Sequence, residues 1–509
     1  MKSTKTVAEQ IASIEGFEIE FRSVDGSDVS SRRVEDYPYQ RAARGEWSVS
    51  RWKQDRFAAT YPDFAVAVLG PDGEEVHGKT LLSTLRARFQ EEDAQEWHDE
   101  EDSETESEDT ETAAGAGTGQ KDIESWLWDA ANILRGPVDP ANLRDFVFPL
   151  LFLKRLSDIW DEEHAEALKL MGPDIDDSVA QDFHTFQIPK GCHWADLRRV
   201  AENHGIKIQK MMQEIEAANP DRLAQIFGNA PWADHNKMPQ ESLHRLVEHF
   251  GRRDLRPSVV SNDLLGGGYE YLLKRFSDES ATSAGQFFTP RAVVHLLVRI
   301  LDPKPTDSIY DPACGSAGML IEASNEVTQS GGQVTQMRFY GQEVNQTSAA
   351  IGRMNLLIHD VEDAQIRRDD TLRAPKFVDN LGRLDKFDIV VANPPFSMKN
   401  WGADKWANDP HKRAIGGVPP QGNGDYAWVQ HMLTSMKKGT GRVGVVMPHG
   451  VLFRGGSEAK IRQYLIEEDL LDAVIGLAPN LFYGTTIPAS LLIFRDQKKE
   501  KHKNHIFFI

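Results

Sequence analysis

The chain has 509 residues, 40% of them hydrophobic, enough for about three domains at roughly 150 residues each. It contains no run of 18 apolar residues and no apolar segment near its N-terminus, which argues against a membrane-spanning helix and a secretory signal. The two cysteines, Cys192 and Cys314, lie far apart, so we expect no disulfide framework, no metal site and a reducing, cytoplasmic location.

The formal net charge of −20 is unevenly distributed along the chain. Residues 91–119 contain 13 acidic and no basic side chains, so the rest of the chain has a net charge of only −7. Such a segment cannot bury a core, and its like charges extend it. We therefore interpret residues 91–119 as an acidic disordered linker, and the remaining charge neither excludes nor indicates DNA binding.

Residues 1–90, before this linker, read as a small α+β accessory module. The segments "FEIEFRS" and "DFAVAVLG" are typical of strands, "GPDGEEV" of a hairpin turn, and "TLLSTLRARFQ" of a helix. We expect the aromatic core to be formed by Trp47, Trp52, Phe57 and Tyr61. The module contains no cluster of residues that indicates chemistry, so we assign it no function.

Residues 120–276 read as a helical domain. The segment "SWLWDAANILRG" has apolar residues at helical spacing and reaches a stop signal at Gly136. A longer apolar helix, "ANLRDFVFPLLFLKRLSDIWDEEHAEAL", follows, and "NDLLGGGYEYLLKRFSD" closes the region. The spacing by itself predicts only a helical bundle.

Residues 277–509 alternate between strands and helices, which predicts an α/β domain with a seven-stranded, mostly parallel sheet of the Rossmann-like kind. The predicted strands lie in "DSIYD", "MRFYGQE", "AQIRR", "FDIVVA", "GRVGVVMP", "DLLDAVIG" and "ASLLIFRD". The final "KNHIFFI" also reads as a strand. Polar side chains follow four of the strands, namely Asp311, Glu343, Asp370 and Asn393. Because ligands of parallel sheets bind at the carboxyl ends of strands, we expect these four side chains to line one site.

The turn after the first of these strands contains Gly315 and Gly318, which allow the backbone to approach a ligand closely. Asp311 precedes the turn and would repel a phosphate, but it suits an ammonium group. Glu343 can accept hydrogen bonds from two ribose hydroxyls, and Asp370 from an adenine amino group. These features predict S-adenosylmethionine as cofactor and disfavour a nicotinamide dinucleotide, the rival.

The segment after the fourth strand is Asn393, Pro394, Pro395 and Phe396. The exocyclic amine of a base is a poor nucleophile, because its lone pair is delocalised into the ring. The side-chain oxygen of Asn393 and the carbonyl of Pro394 can accept its two hydrogens, while the prolines limit the conformations of the segment. Phe396 offers a stacking surface for a base that has been flipped out of a duplex. We therefore predict that these four residues are catalytic.

This combination resembles the family of amino-methyltransferases that modify adenine at N6. "NPPF" is similar to the catalytic motif, "DPACGSAG" to the cofactor loop, and "GQFFTPRAVV" to the motif upstream of it. The resemblance implies that the upstream motif lies against the methionine part of the cofactor. The cofactor-binding residues implied together are Gln286, Phe287, Phe288, Thr289, Pro290, Arg291, Asp311, Gly315, Ser316, Ala317, Gly318, Glu343 and Asp370.

The match extends over residues 122–509, which resemble the modification subunit of type I restriction–modification systems, but it does not include residues 1–119. Asp369 stands where a glycine is more usual, which weakens the assignment of Asp370. The resemblance implies double-stranded DNA with a flipped-out adenine as substrate. It also implies a specificity subunit, a restriction (translocase) subunit and two copies of this chain per specificity subunit. No DNA-reading domain follows the last predicted strand, so we expect either dependence on such a partner or a missing C-terminal segment.

Four alternatives stay open. A glutamine N5-methyltransferase uses a similar pocket, but usually carries NPPY and lacks the helical domain. A cytosine N4-methyltransferase more often has serine at the position of Asn393. A DNA-binding scaffold with a decayed active site is disfavoured by the intact glycine loop. A methyltransferase of another phage-defence system would account for the additional N-terminal module.

Overall fold

The structure is a computed structural model that describes residues 119–172, 181–279, 289–361, 363–482 and 487–509, together with separate stretches between positions 2 and 85. Contacts divide the chain into two units, Met1–Ala114 and Gly115–Ile509. The predicted acidic linker lies outside the described residues except for Gly119, and so does most of the helix predicted after position 80. Within these described ranges no helix is both long and apolar enough to cross a membrane.

The first unit contains two pairs of antiparallel strands with helices beside them. Its strands are β1 (Lys2–Ser3), β2 (Ile19–Ser23), β3 (Arg33–Val34) and β4 (Phe64–Val68), and its α-helices are α1 (Thr4–Glu15) and α2 (Val49–Trp52). β2 pairs with β4, and Leu69 forms an antiparallel bridge with Glu75, while the hairpin turn predicted between these two residues lies outside the described residues. Trp52, Phe57 and Tyr61 are buried as predicted, while Trp47 is partly buried against the same core.

The second unit begins with a helical region. Its helices are α3 (Gln120–Leu134), α4 (Leu143–Met171), α5 (Trp194–Arg198), α6 (His204–Ala218), α7 (Gln240–Gly251) and α8 (Asn262–Glu279). α3 ends just before Gly136, which adopts a left-handed φ of 93°. The apolar faces of these helices form one core with part of the next region, and the hydroxyl of Tyr269 donates to the carbonyl of Ile351, 3.1 Å away. The helical region therefore packs directly on the sheet domain.

The rest of the second unit alternates strands with helices. The strands are β5 (Ser308–Asp311), β6 (Arg338–Glu343), β7 (Ala364–Arg368), β8 (Ile389–Ala392), β9 (Arg442–Pro448), β10 (Leu471–Gly476), β11 (Ala489–Arg495) and β12 (Phe507–Phe508). The helices are α9 (Arg291–Leu301), α10 (Gly318–Gln329), α11 (Gln346–Ile358), α12 (Ala403–Trp406), α13 (Asp425–Ser435), α14 (Gly450–Phe453) and α15 (Ser457–Glu467).

These strands form one eight-stranded sheet in the order β12-β10-β11-β9-β8-β5-β6-β7. All neighbouring strands are parallel except β11, which is antiparallel to β9 and to β10. The predicted α/β fold with a mostly parallel sheet is confirmed. The predicted count of seven is one too low, because the short terminal strand β12 adds an eighth at the edge.

The order of the strands creates a crevice at one place. From β5 the chain moves outward through β6 and β7, and it then returns to the other side of β5 with β8 and β9. Every residue of β8 and β9 is buried, because helices cover both faces of the sheet there. Ligands of such sheets bind where the strand order reverses, at the carboxyl ends of the two diverging strands. In this chain these strands are β5 and β8.

Candidate active site

The polar residues predicted to follow the strands come together at this crevice. Glu343, Asp370 and Asn393 line a cleft of about 750 Å³. Asp311 and Asn393 line a small side pocket of about 80 Å³. A second cavity of about 840 Å³ opens at the opposite ends of the strands, beside the amino ends of β5, β6 and β8. Because open parallel sheets bind ligands at their carboxyl ends, the cleft is the candidate site.

The glycine loop is held in place by Glu343. The amide of Gly315 donates to Oε2 of Glu343 (3.1 Å), and the amide of Asn345 donates to Oε1 (2.7 Å). Gly315 has a left-handed φ of +50°, and no atom lies within 4 Å of the position that a Cβ would take. A carboxylate has about four acceptor positions, so Glu343 can brace the loop and still accept from ribose hydroxyls. Burial raises its pKa, although the three neighbouring amides oppose this.

The loop continues into α10 beside the same cavities. Ser316 lines both of them, and Gly318 lines the side pocket at the start of the helix. Ala317 caps α10 with a left-handed φ of 65°. The helix therefore begins at the ligand cleft, as the glycine pattern predicts.

Asp311 is the most unusual carboxyl group in the site. It is 3% exposed and accepts a hydrogen bond from the amide of Ala313 at 2.9 Å. No cation pairs with it among the described residues. Burial raises the pKa of Asp311 to about 8, and the charge of Glu343 adds to this, while the Ala313 amide opposes it. A buried carboxyl group without a counter-charge suits a ligand that brings a positive charge.

Asp370 lines the cleft at the end of β7, but it also caps a turn. Its Oδ1 accepts from the amides of Leu372 (3.0 Å) and Arg373 (3.1 Å). The neighbouring Asp369 instead pairs with Lys376 at 2.6 Å, and this hydrogen bond lowers its pKa. Contact of Asp370 with an adenine amino group therefore stays a prediction.

Asn393 follows β8 and shows an unmet hydrogen-bonding capacity. Its Nδ2 donates to Oγ1 of Thr289 at 2.9 Å. Its Oδ1 is buried and has no hydrogen-bond partner among the described residues. A buried polar atom without a partner is costly and calls for an explanation, commonly a ligand or substrate. The Thr289 contact sets the orientation of the amide, so that the oxygen is the atom left to accept.

The rest of the "NPPF" segment is positioned by neighbouring elements. Pro394 is buried, Pro395 lines the cleft, and the Phe396 ring lies edge-on to Phe482 with centroids 6.3 Å apart. Asp425, at the start of α13, fixes the end of the segment. Its Oδ1 accepts from the Ser397 amide (2.7 Å) and its Oδ2 from Arg454 (2.5 Å). Ser397 itself adopts a left-handed φ of 52°.

The predicted motif upstream of the sheet is only partly described. Thr289 and Arg291 line the side pocket, and Pro290 caps α9. Arg291 is 3.6 Å from Glu270, and its side chain is 74% exposed. The other three predicted members, Gln286, Phe287 and Phe288, lie outside the described residues.

Several lining residues have no signal in the sequence. The helical region contributes Asn142, Arg144, Asp145, Leu273 and Phe276 to the wall of the cleft. Burial raises the pKa of Asp145, which otherwise reads as an ordinary residue of the first helical turn. The periodic pattern of the region indicated only a core, so sequence reasoning missed its part in the site.

Two polar residues behind the loops were also missed. Gln342 is fully buried and donates to the carbonyls of Asp369 and Ala374, both at 3.1 Å. Asn355, on α11, donates to the carbonyl of Ser316 at 3.0 Å. Both tie the loops of the cleft to one another.

The residues present fit S-adenosylmethionine. The open space at Gly315 allows close approach, the buried Asp311 suits an ammonium group, and the buried oxygen of Asn393 can take a target amine. The described residues contain no group of three or more side chains that could hold a metal ion.

The chain matches two family models. Residues 260–509 match the N-6 DNA Methylase family, and residues 123–250 match the HsdM N-terminal domain. The second match covers most of the helical region, which runs from Gln120 to Glu279.

Similar proteins agree with these matches. The chain is 30% identical to the methylase subunit of the type I restriction enzyme MjaIX from Methanocaldococcus jannaschii over 76% of this chain and 72% of that one. It is 28% identical to the MpnII methylase subunit from Mycoplasma pneumoniae, over 76% and 78% of the two chains. The crystal structure of the type I restriction-modification methyltransferase subunit from Streptococcus thermophilus superposes with a TM-score of 0.67 at 26% identity, covering 77% and 87% of the chains. The chain therefore belongs to the methylase subunits of type I restriction enzymes, N-6 adenine DNA methyltransferases whose methyl donor is S-adenosylmethionine.

Proposed function

We propose that this chain methylates N6 of an adenine that has been flipped out of double-stranded DNA, and that Asn393, Pro394, Pro395 and Phe396 form the pocket for that base. The observation that carries the proposal is the buried Oδ1 of Asn393, which has no hydrogen-bond partner among the described residues and lies beside the glycine loop, where the strand order reverses. When bound, S-adenosylmethionine supplies a methyl group that is already activated as a sulfonium, so the protein needs no strong base before the transfer.

The task left to the protein is to make the amine nucleophilic. Oδ1 of Asn393 and the carbonyl of Pro394 accept one hydrogen bond each from the two N–H groups of the N6 amine. This arrangement favours a tetrahedral nitrogen with an available lone pair. Thr289 holds the Asn393 amide by its nitrogen, so the oxygen stays directed to the substrate. N6 gains the methyl group and becomes cationic, and it then releases one proton to solvent.

The base itself requires a surface. The Phe396 ring is partly buried and packed against the sheet core, and we assign the stacking of the flat base to this ring. Asp425 and Arg454 anchor the residue after it and so limit movement of the ring. Stacking on an aromatic side chain is worth about 1–3 kcal/mol per base, so Phe396→Ala should mainly raise the KM for DNA.

We further propose that a specificity subunit selects the DNA sequence. The described residues include no zinc-binding cluster, and the chain outside residues 91–119 is mildly acidic, which disfavours strong binding to phosphates by this chain alone. In the full complex we expect two copies of this chain per specificity subunit, a restriction subunit, and a cytoplasmic location. The helical region would then close on DNA or dock the specificity subunit.

The test is a methylation assay with labelled S-adenosylmethionine and host DNA, using the purified chain with and without the specificity subunit encoded beside it. We expect methylation at adenines within one sequence, found by mapping the modified bases, only when both proteins are present. The variant Asn393→Ala should be inactive, whereas Asn408→Ala, at an exposed asparagine, should keep full activity. Sequence-specific methylation by the chain alone would contradict the need for a partner, and modified cytosine would contradict the substrate.

A further inference from the structure

Like Asn393, Asn355 has a buried side-chain oxygen that accepts no hydrogen bond from any described residue. The side chain is on α11 and only 1% exposed. Its Nδ2 donates to the carbonyl of Ser316 at 3.0 Å, so the amide orientation is set by the glycine loop. Its Oδ1 has no hydrogen-bond partner among the described residues. As with Asn393, one end of the amide is used by the protein and the other end is left to accept.

The position of Asn355 follows from a close approach between α11 and the glycine loop. One turn earlier on the helix is Gly352, where an added Cβ would lie 2.8 Å from the carbonyl oxygen of Gly315. The absence of a side chain there lets the helix backbone pack directly against the loop. Asn355 consequently reaches under the loop and lines the small side pocket.

The side pocket is rich in hydrogen-bond acceptors. Three carboxyl groups line it, from Asp311, Glu270 and Glu322. Glu270 lies 3.6 Å from Arg291, and Glu322 accepts from His295 at 2.5 Å. Asp311 has no such cationic partner among the described residues, and its pKa is raised to about 8, chiefly by burial. In one pocket, therefore, a carboxyl group lacks a cationic partner and an amide oxygen lacks a hydrogen-bond donor among the described residues, which suits a ligand with positive charge and more than one N–H.

We propose that Asn355 is a further cofactor-binding residue, whose Oδ1 accepts a hydrogen bond from the ammonium group of the amino-acid part of S-adenosylmethionine while Asp311 accepts another. The inference rests on the assignment of this cleft to the cofactor and adds a named contact for one chemical group. In this assignment Asn355 and Asp311 bind the ammonium group of the cofactor, whereas Glu343 binds its ribose.

A purely structural role for Asn355 predicts a different outcome. If the residue only braces the loop through Ser316, its loss should weaken every ligand that touches the loop. If it accepts from the ammonium group, its loss should weaken only ligands that carry that group. Three ligands separate the two roles: S-adenosylmethionine, its decarboxylated form, which keeps the ammonium group, and methylthioadenosine, which has neither amino-acid group.

The experiment is calorimetric titration of the full chain and its variants with these three ligands. Asn355→Ala should lower the affinity for the first two by about 10- to 100-fold, the scale of one hydrogen bond to a charged group, and leave methylthioadenosine within about threefold. Asn355→Asp keeps the acceptors but loses the donor to Ser316, and it should still prefer the two ammonium ligands over methylthioadenosine.

An equal loss for all three ligands in Asn355→Ala would overturn the proposal in favour of a loop-bracing role. Unchanged affinity for all three ligands would overturn the proposal as well. Binding of methylthioadenosine by the variant serves as the control that the variant is folded. Failure of the unmodified chain to bind any of the ligands would instead contradict the assignment of the cleft to the cofactor, and the ammonium contact with it.

Discussion

The two ends of the strands in the central sheet carry similar polar residues, which differ in how fully they are paired by neighbouring groups. At the amino ends of the strands, Asp307 and Asp388 are each paired with a cation, with Arg442 at 2.7 Å and Lys437 at 2.6 Å. Asp388 also accepts from the amide and hydroxyl of Ser308. Burial opposes ionisation of Asp388, but these hydrogen bonds prevail and lower its pKa.

At the carboxyl ends, three buried polar groups have fewer partners among the described residues. Asp311 has only a backbone amide, its pKa rises to about 8, and the oxygens of Asn393 and Asn355 accept nothing from the described residues. The cleft lies among these groups, and a second cavity of similar volume lies at the amino ends, beside the paired Asp388. In this sheet, the buried groups without a partner among the described residues indicate which of the two cavities is the ligand site.

The substitution Asn393→Ala gives the strongest test of whether the incompletely paired groups at the carboxyl ends form the active site. Removing the acceptor for the target amine should lower kcat by at least 100-fold, the usual effect of deleting one preorganised group at a reacting centre. Affinity for S-adenosylmethionine should change little, because the residue is assigned to the amine. Methyl transfer by the assembled enzyme and calorimetry on the chain measure the two effects. Full activity in this variant would remove Asn393 from the mechanism.

Glu343→Ala should weaken binding of S-adenosylmethionine by about 1.5–3 kcal/mol, because it removes the predicted ribose acceptors and the brace for Gly315. Glu343→Gln keeps one carbonyl oxygen, so its affinity for S-adenosylmethionine should lie between that of Glu343→Ala and that of the unmodified chain. Calorimetry measures all three. Equal affinity for the three proteins would contradict a role for Glu343 in cofactor binding.

A matched pair of substitutions contrasts the two ends of the strands. The pKa of Asp311 in the folded chain, about 8, exceeds its unfolded value, so this group lowers stability as the pH rises above the ordinary range for a carboxyl group. At pH 7.5, Asp311→Asn should therefore raise the free energy of unfolding, by on the order of 1–3 kcal/mol. Asp388→Asn should lower it by about 1–2 kcal/mol, because ion-pair and hydrogen-bond partners are lost.

Thermal and urea unfolding of the two variants measure these changes. Because the pKa of Asp388 is lowered in the folded chain, its contribution is present at neutral pH and disappears in acid. Destabilisation by both substitutions at pH 7.5 would show that Asp311 is satisfied in the same way as Asp388, and would contradict the contrast between the two ends of the strands.

The smallest expected effect is the pH dependence of cofactor affinity. A bound ammonium group should lower the raised pKa of Asp311, so binding releases a proton below pH 8. Affinity should then rise several-fold from pH 6 to pH 7.5, with a limit of tenfold per pH unit for one proton. Asp311→Asn should bind more weakly and show a flatter profile. Calorimetry in buffers of different ionisation enthalpy measures the released proton directly.

The sequence by itself determined the fold and the outline of the site. Alternating buried strands and helices predicted the parallel sheet, because a sheet covered on both faces requires continuous apolar strands such as β8 and β9. The strand-end positions of Glu343 and Asn393 followed from the same pattern. The position of a residue along the chain was enough for this prediction, because parallel strands bring their carboxyl ends to the same side of the sheet, however far apart they are in the sequence.

Only the tertiary structure decided which polar groups are satisfied. Asn355 is inside a helix, and nothing in its sequence neighbourhood indicates that it reaches under a loop about 40 residues away. Leu273 and Phe276 look like core residues of α8 until the packing of the helical region makes them a wall of the cleft. Burial, pairing and the resulting pKa shifts depend on contacts between distant segments, and local periodicity carries no information about them.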